Sequence, residues 1–223
     1  MAEMEPTSPR SRVRRLPERA RYDEPTIHRI LDEAMICHVG FTTDEGPVVI
    51  PTIHARVGST LYLHGSHASR LMRGTVGHQV SVAATIVDGI VAARSLFHHS
   101  LNYRSVVVFG SPRVVDDPDE RMAAFRAITE HMLPGRWDEA RRPSVKEDRS
   151  TRLLAIEIDE ASAKVRSGPP GDDAEDMASG IWAGVIPVVT VAGTPEPAPD
   201  LEDGVEVPRS VRDLGSRPDT MAT

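Results

Sequence analysis

Lysine, asparagine, cysteine and aromatic residues are nearly missing from this chain, and each shortage narrows what it can be. Of its 26 basic residues only Lys146 and Lys164 are lysines, so a lone arginine says little and only one in a fitting backbone setting counts. Cys37 has no second cysteine to pair with, which excludes an intramolecular disulfide framework and fits a reducing, cytoplasmic setting. No apolar run approaches the roughly 18 residues that span a bilayer, and the N-terminal stretch lacks the apolar core of a secretory signal, so no membrane association is expected. The 26 basic against 33 acidic residues, net −7, exclude a general polyanion binder, and nucleic acid is not an expected partner. Despite nine histidines no metal site is expected: HExxH and cysteine pairs are both missing, and His98-His99 would point to opposite faces of a strand. No paired acids in a regular element announce general acid and base chemistry, and no catalytic residue is assigned.

What is present divides into three stretches. Residues 1–21 hold six Arg against three Glu, with little to bury, and read as a loose basic arm. Residues 193–223 carry five prolines and seven acids against three Arg, and read as a disordered acidic tail. Residues 22–192 form one domain's worth of chain, without internal repeats.

Within that domain the periodicity is mostly that of strands. A first helix opens at Asp23 with Pro25 in its first turn and Ile27, Ile30, Leu31 and Ala34 on one stripe. Short β-rich runs follow at Ile36 to Phe41, Val48 to Val57 and Thr60 to His64. After a short helix, Ala68 to Arg73, two more runs, Val80 to Val87 and Ile90 to Phe97, flank Asp88-Gly89, a strong hairpin signal. Tyr103 to Phe109, Pro112 to Val115 and Arg152 to Ile158 continue the strand series, and Asp117 to Met132 is helical. Many short strands with few helices exclude a doubly wound parallel sheet and favour a small antiparallel barrel with peripheral helices.

Three segments carry candidate chemistry. In LYLHGSHASRLMR, Leu61 to Arg73, a strand gives way through Gly65-Ser66 to a helix opening at Ser69-Arg70. Glycine, hydroxyls, a helix start and an Arg suit an anion; the alternative is an ordinary turn with a Ser cap. In FHHSLNYRSVVVFG, Phe97 to Gly110, a polar cluster leads into an apolar strand, either to read a ligand edge or to satisfy a loop. Trp182, in IWAGVIPV, either plugs a barrel end or covers a flat cofactor. His54 and His64 lie on adjacent predicted strands, where haem ligation competes with structural hydrogen bonding, and Cys37 reads as a buried, inert thiol.

Together, VIPTIHARV at Val49 to Val57, the two polar segments and the ASAKVRSGPP and WAGVIPV ending resemble the FMN-binding split-barrel family of pyridoxamine 5'-phosphate oxidase-like proteins, in particular its nitroimidazole-reductase-like branch. The resemblance runs from about Arg15 to Val188. It implies a six-stranded antiparallel split barrel, mainly β, forming a homodimer with FMN in grooves at the subunit interface. It implies that Pro51, Thr52, Ile53 and His54 line the flavin, and that Gly65, Ser66, Ser69 and Arg70, beside His64, hold its phosphate. Asn102, Tyr103, Arg104 and Ser105 match the strand that contacts the flavin, and Trp182 would approach the ring from the partner subunit. The vitamin-forming oxidases of this family carry lysines where this chain has His54-Ala55 and Leu71, and their C-terminal Arg-rich motif is not reproduced after Trp182. The resemblance therefore implies an oxidoreductase acting on another small flat substrate, such as a nitroaromatic or quinone-like acceptor, the alternatives being a flavin or haem carrier or a deazaflavin-dependent reductase.

Overall fold

The computed structural model describes residues 5–214. Its strands are β1 (Ala20–Arg21), β2 (Cys37–Thr43), β3 (Gly46–Thr52), β4 (His54–Val57), β5 (Thr60–Ser66), β6 (Val80–Ala92), β7 (Ser100–Gly110), β8 (Arg113–Val114), β9 (Thr151–Glu157), β10 (Glu160–Arg166) and β11 (Gly184–Pro187). The helices are α1 (Glu24–Glu33), α2 (Arg70–Gly74), α3 (Pro118–Met132), α4 (Arg136–Glu139), α5 (Val145–Ser150) and α6 (Arg209–Leu214). All strand pairs are antiparallel, in a seven-stranded sheet ordered β1-β10-β7-β6-β2-β3, with β11 also on β6, and a four-stranded sheet ordered β4-β5-β9-β8.

Both sheets turn one face to a shared core, the arrangement of a split barrel. Val39, Val82, Ala84, Val106, Val108 and Ala163 from one sheet meet Leu61, Leu63, Leu154 and Ile156 from the other, and Ile27, Ile30 and Leu31 of α1 close one side. Each such fully buried branched side chain contributes roughly 1.5–3 kcal/mol. The outer face of the smaller sheet is covered by α3, whose Ala124 and Ile128 pack on Ala55, Tyr62, Leu153 and Ala155. The chain passes from one sheet to the other at Ile53, between β3 and β4.

Helix starts follow their caps: the Asp23 and Asp117 carboxylates accept from the Thr26 and Glu120 amides. Ser144 and Glu147 form a capping box that opens α5. In β10, Ala161, Ala163 and Val165 alternate with polar residues but are too small to give a strong strand signal.

The expected hairpin at Asp88-Gly89 is not formed. Val87 faces Tyr103 and Gly89 faces Asn102, so Asp88 is the extra residue of a bulge in one thirteen-residue strand, and the chain reverses only after Ala92. The glycine is required by packing: a Cβ at Gly89 would lie 3.0 Å from Val185 Cγ1 and 3.1 Å from the Ile186 carbonyl of β11. Among the described residues, β1, β8 and β11 are short strands that flank the longer ones.

The two ends depart from the loose arm and tail that composition suggests. Arg10 Nε donates to Glu160 at 2.7 Å, Ser11 is buried, and β1 pairs with β10, so residues 5–21 run along the sheet edge. Most of residues 193–208 are exposed, but α6 returns to the body, where the Ser210 amide and hydroxyl donate to Glu139. Residues 1–4 and 215–223 lie outside the described part of the arm and tail.

Candidate functional site

The strongest candidate is the end of β5 and its turn into α2. The Ser69 amide donates to the Ser66 carbonyl at 2.9 Å, and the Ala68 amide to Ser66 Oγ at 3.2 Å, which folds the chain back sharply. Ser69 occupies the N-cap of α2, yet its hydroxyl caps nothing. Arg70 is exposed and forms no ion pair among the described residues. Gly65 is explained by packing: a Cβ there would lie 3.1 Å from Met72 Cγ. His64, half-buried, has its Nδ1 buried without a partner, and burial lowers its pKa, favouring the neutral imidazole. A Ser69 hydroxyl without a cap bond and, among the described residues, a guanidinium without an ion pair at one turn suit an anionic ligand.

The segment Pro51 to His54 spans the crossing between sheets and divides there. Pro51 is exposed, Thr52 half-buried, and Ile53 packs partly against the α3 cluster. His54 is inside. Its Nε2 donates to the Leu31 carbonyl at 2.8 Å, and its ring centroid lies 4.9 Å from that of His131, whose Nε2 donates to the Ala34 carbonyl at 2.9 Å. Burial pushes the His54 pKa down to about 4. The His54 side chain is fully buried rather than lining an open groove, with its Nε2 tying β4 to the end of α1 and its Nδ1 buried without a partner.

The quartet on β7 is largely used up internally. Asn102, almost buried, donates through Nδ2 to the Gly168 carbonyl at 3.2 Å and accepts at Oδ1 from Arg166 Nη1. Arg104 donates to Asp88 at 2.8 Å and to Glu33, and these carboxylates raise its pKa. Ser105 Oγ donates to the Lys164 carbonyl at 3.3 Å. Tyr103, half-buried between Val87 and Arg166 across the sheet, spends its hydroxyl on no described residue.

Trp182 is 66% exposed and does not plug the barrel; its ring lies over Gly184 at the start of β11, on the end of β6 where Gly89 faces Asn102. Thus β5 and its turn carry one candidate group, while Tyr103 and Trp182 belong to the other sheet. A cleft of about 370 Å³ adjoins the turn, lined by His67, Asp116, Pro118, Arg121, Met122, Asp148 and Arg149, and a second of about 270 Å³ lies between Phe125, Arg141, Pro143, Glu147 and Thr151. Neither is lined by the expected flavin-contacting residues.

Among the described residues no group of three or more His, Cys, Asp or Glu is arranged to hold a metal ion, and no helix is long and apolar enough to cross a membrane. Cys37 is buried, its thiol pushed up to about 12 by burial, which leaves it unreactive.

A family model described as pyridoxamine 5'-phosphate oxidase matches residues 23–165. The chain is 36% identical to the flavocytochrome Anf3 from Azotobacter vinelandii, over 93% of its own length and 97% of that chain, with a TM-score of 0.87. It is 37% identical to the FAD and haem binding protein from Mycobacterium smegmatis, over 88% and 97% of the two chains, with a TM-score of 0.84. A protein from Bacteroides thetaiotaomicron described as a candidate 5-nitroimidazole antibiotic resistance protein, 21% identical over 66% of this chain and 86% of its own, shares the fold with a TM-score of 0.55. No curated protein matches the chain.

Proposed function

The chain belongs to the pyridoxamine 5'-phosphate oxidase family, and on that premise we propose that it is a flavin-binding oxidoreductase whose turn at Ser66 to Arg70 holds the flavin's phosphate. The observation that carries this reading is the turn itself, which among the described residues presents Arg70 without an ion pair and the Ser69 hydroxyl without a cap bond. A bound flavin supplies hydride or single-electron transfer. Ser66, Ser69 and Arg70 would bind the phosphate, Pro51, Thr52 and Ile53 would border the ring, and Tyr103 would offer a free hydroxyl to a substrate. Asn102, Arg104 and Ser105 would act indirectly, by fixing β7.

The flavin proposed is FMN, the smallest that such a phosphate site requires. The second reading is FAD together with haem, favoured by the similar Mycobacterium smegmatis protein, whose name includes both groups, and by the similar protein named a flavocytochrome. His64 fits an iron ligand in this chain, since burial keeps its imidazole neutral and leaves Nδ1 unpartnered. The substrate proposed is a small flat acceptor, nitroaromatic or quinone-like. Pyridoxamine phosphate does not fit, because the C-terminal Arg-rich substrate motif of the vitamin-forming oxidases is not reproduced after Trp182, where no Arg follows until Arg209.

The grooves would close by homodimerisation. Ile90 faces Leu101 on one side and Ile186 on the other, so the three share a sheet face, and each is more than 40% exposed. Leu96 and Phe97 at the nearby reversal are 90% and 88% exposed. Replacing Ile90 and Leu101 by Asp should yield monomers in sedimentation analysis that retain folded circular dichroism; dimers would remove this face from the interface.

The deciding experiment is an absorption spectrum of the purified protein before and after reconstitution, with chromatographic identification of what heat releases. Two flavin bands and released FMN support the first reading, and turnover with a nicotinamide donor and a nitro compound or quinone would make it an enzyme. Released FAD with a Soret band supports the second, and a protein that takes up neither flavin overturns both.

A further inference from the structure

Most half-buried arginines of this protein meet a carboxylate: Arg56 meets Asp32, Arg94 meets Asp172, Arg104 meets Asp88 and Glu33, and Arg121 meets Asp148. Arg166 lacks one but spends its donors on Asn102 Oδ1 and the carbonyls of Gly168 and Pro169. Arg152 is different. Among the described residues its one hydrogen bond runs from Nη1 to the Met72 carbonyl at 3.1 Å, no carboxylate pairs with it, and its Nε is buried without an acceptor. A guanidinium cannot shed its proton to escape this cost, so its charge calls for a partner from outside the chain.

Its position identifies that partner's chemistry. In the pairing of β5 with β9, Arg152 stands opposite Gly65 and Thr151 opposite Ser66, so Arg152 is the cross-strand neighbour of the anion turn. Gly65 brings no side chain, and Met72, which fills the space against it, is the residue whose carbonyl anchors Arg152. The anchor fixes the long side chain on the turn's side of the sheet and leaves Nε–H unspent.

We infer that Arg152 is the second cation of this site and, with Arg70, binds the phosphate of a flavin nucleotide. The inference rests on the flavin reading and adds a residue that no contiguous motif reveals, because Arg152 lies far from the turn in sequence. Two guanidiniums match a dianionic phosphate ester, and the half-buried one is the less screened of the two.

The test is titration of Arg152→Gln and Arg152→Lys apoproteins with FMN and with riboflavin, which lacks the phosphate, alongside thermal melts with and without inorganic phosphate. Arg152→Gln should weaken FMN roughly 10- to 100-fold, leave riboflavin affinity within about twofold, abolish the rise in Tm that phosphate gives the native protein, and be partly rescued by Lys. Equal loss for FMN and riboflavin would reduce Arg152 to an anchor for Met72, and unchanged FMN affinity would remove it from the site. If the native protein binds no flavin, the flavin reading fails on its own, and the phosphate-dependent Tm still decides: a shift lost in Arg152→Gln keeps Arg152 as an anion ligand, whereas a shift retained, or no shift in the native protein, ends the inference.

Discussion

Arg104 and Arg70 are both arginines at the end of a polar run beside a strand, and their surroundings differ in charge. Arg104 sits between Asp88 and Glu33, on a strand whose Asn102 and Ser105 are likewise bonded within the chain. Arg70 stands at a turn with no carboxylate on it and with the neighbouring Ser69 hydroxyl unspent. A polar group whose partners are internal specifies the fold, since removing it strands those partners. One whose partners are missing is available to a ligand. Asn102, Arg104 and Ser105 on β7 belong to the first kind, and Ser69 and Arg70 at the β5 turn to the second.

The largest expected effect tests the sealed side. His54, fully buried, has its pKa pushed down to about 4, below the roughly 6.5 of an unfolded histidine. Between these values the unfolded chain holds the proton and the folded one does not, so its contribution is complete above about pH 6.5 and declines as pH falls through about 4. The loss by pH 4 is on the order of 3 kcal/mol. Urea unfolding of the native protein and His54→Gln across this range should give a steeper pH dependence for the native protein. Parallel curves would mean that the imidazole is not sealed.

Next in size is the exchange of roles between the two arginines. Arg104→Met strands Asp88 and Glu33 and should cost about 2–3 kcal/mol of stability, less than the 3–5 kcal/mol of a fully buried pair because the site is partly solvated. Its ratio of FMN to riboflavin affinity should not change. Arg70→Gln should do the reverse, with stability within about 0.5 kcal/mol of native and FMN affinity down roughly tenfold or more. Urea midpoints and flavin titrations on both variants provide the four numbers, and a loss of stability at Arg70 or of phosphate selectivity at Arg104 would break the comparison.

The same distinction explains how much was legible in the sequence. Local signals read well: the Asp23 and Asp117 caps, the α1 stripe, the LYLHGS strand and its turn all form. What was illegible depends on cross-strand partners. Asp88-Gly89 carries hairpin chemistry, but Arg104 and the backbone of β11 make it a bulge, and neither neighbour is near in sequence. Asn102 and Arg104 have the chemistry of ligand-binding residues; only Gly168 and Glu33, brought in by folding, show that their capacity is spent. Arg152 is illegible for the converse reason, since its missing partner is visible only once β9 lies against β5.

The smallest effect is the most discriminating, because it compares two N-caps. Asp117 accepts the Glu120 amide at 2.9 Å, so Asp117→Ala should cost about 1 kcal/mol of stability. Ser69 holds the same position on α2 but its side chain caps nothing. Ser69→Ala should therefore cost less than about 0.5 kcal/mol, since a surface substitution away from a specific bond falls in that range. If the hydroxyl is kept for a phosphate oxygen, the same variant should lose a few-fold in FMN affinity, the value of one hydrogen bond of about 1 kcal/mol, and nothing in riboflavin affinity. Thermal melts of the two apoproteins and paired titrations of Ser69→Ala read both effects. A Ser69→Ala variant that loses as much stability as Asp117→Ala, with FMN binding intact, would turn the turn at β5 back into an ordinary helix start.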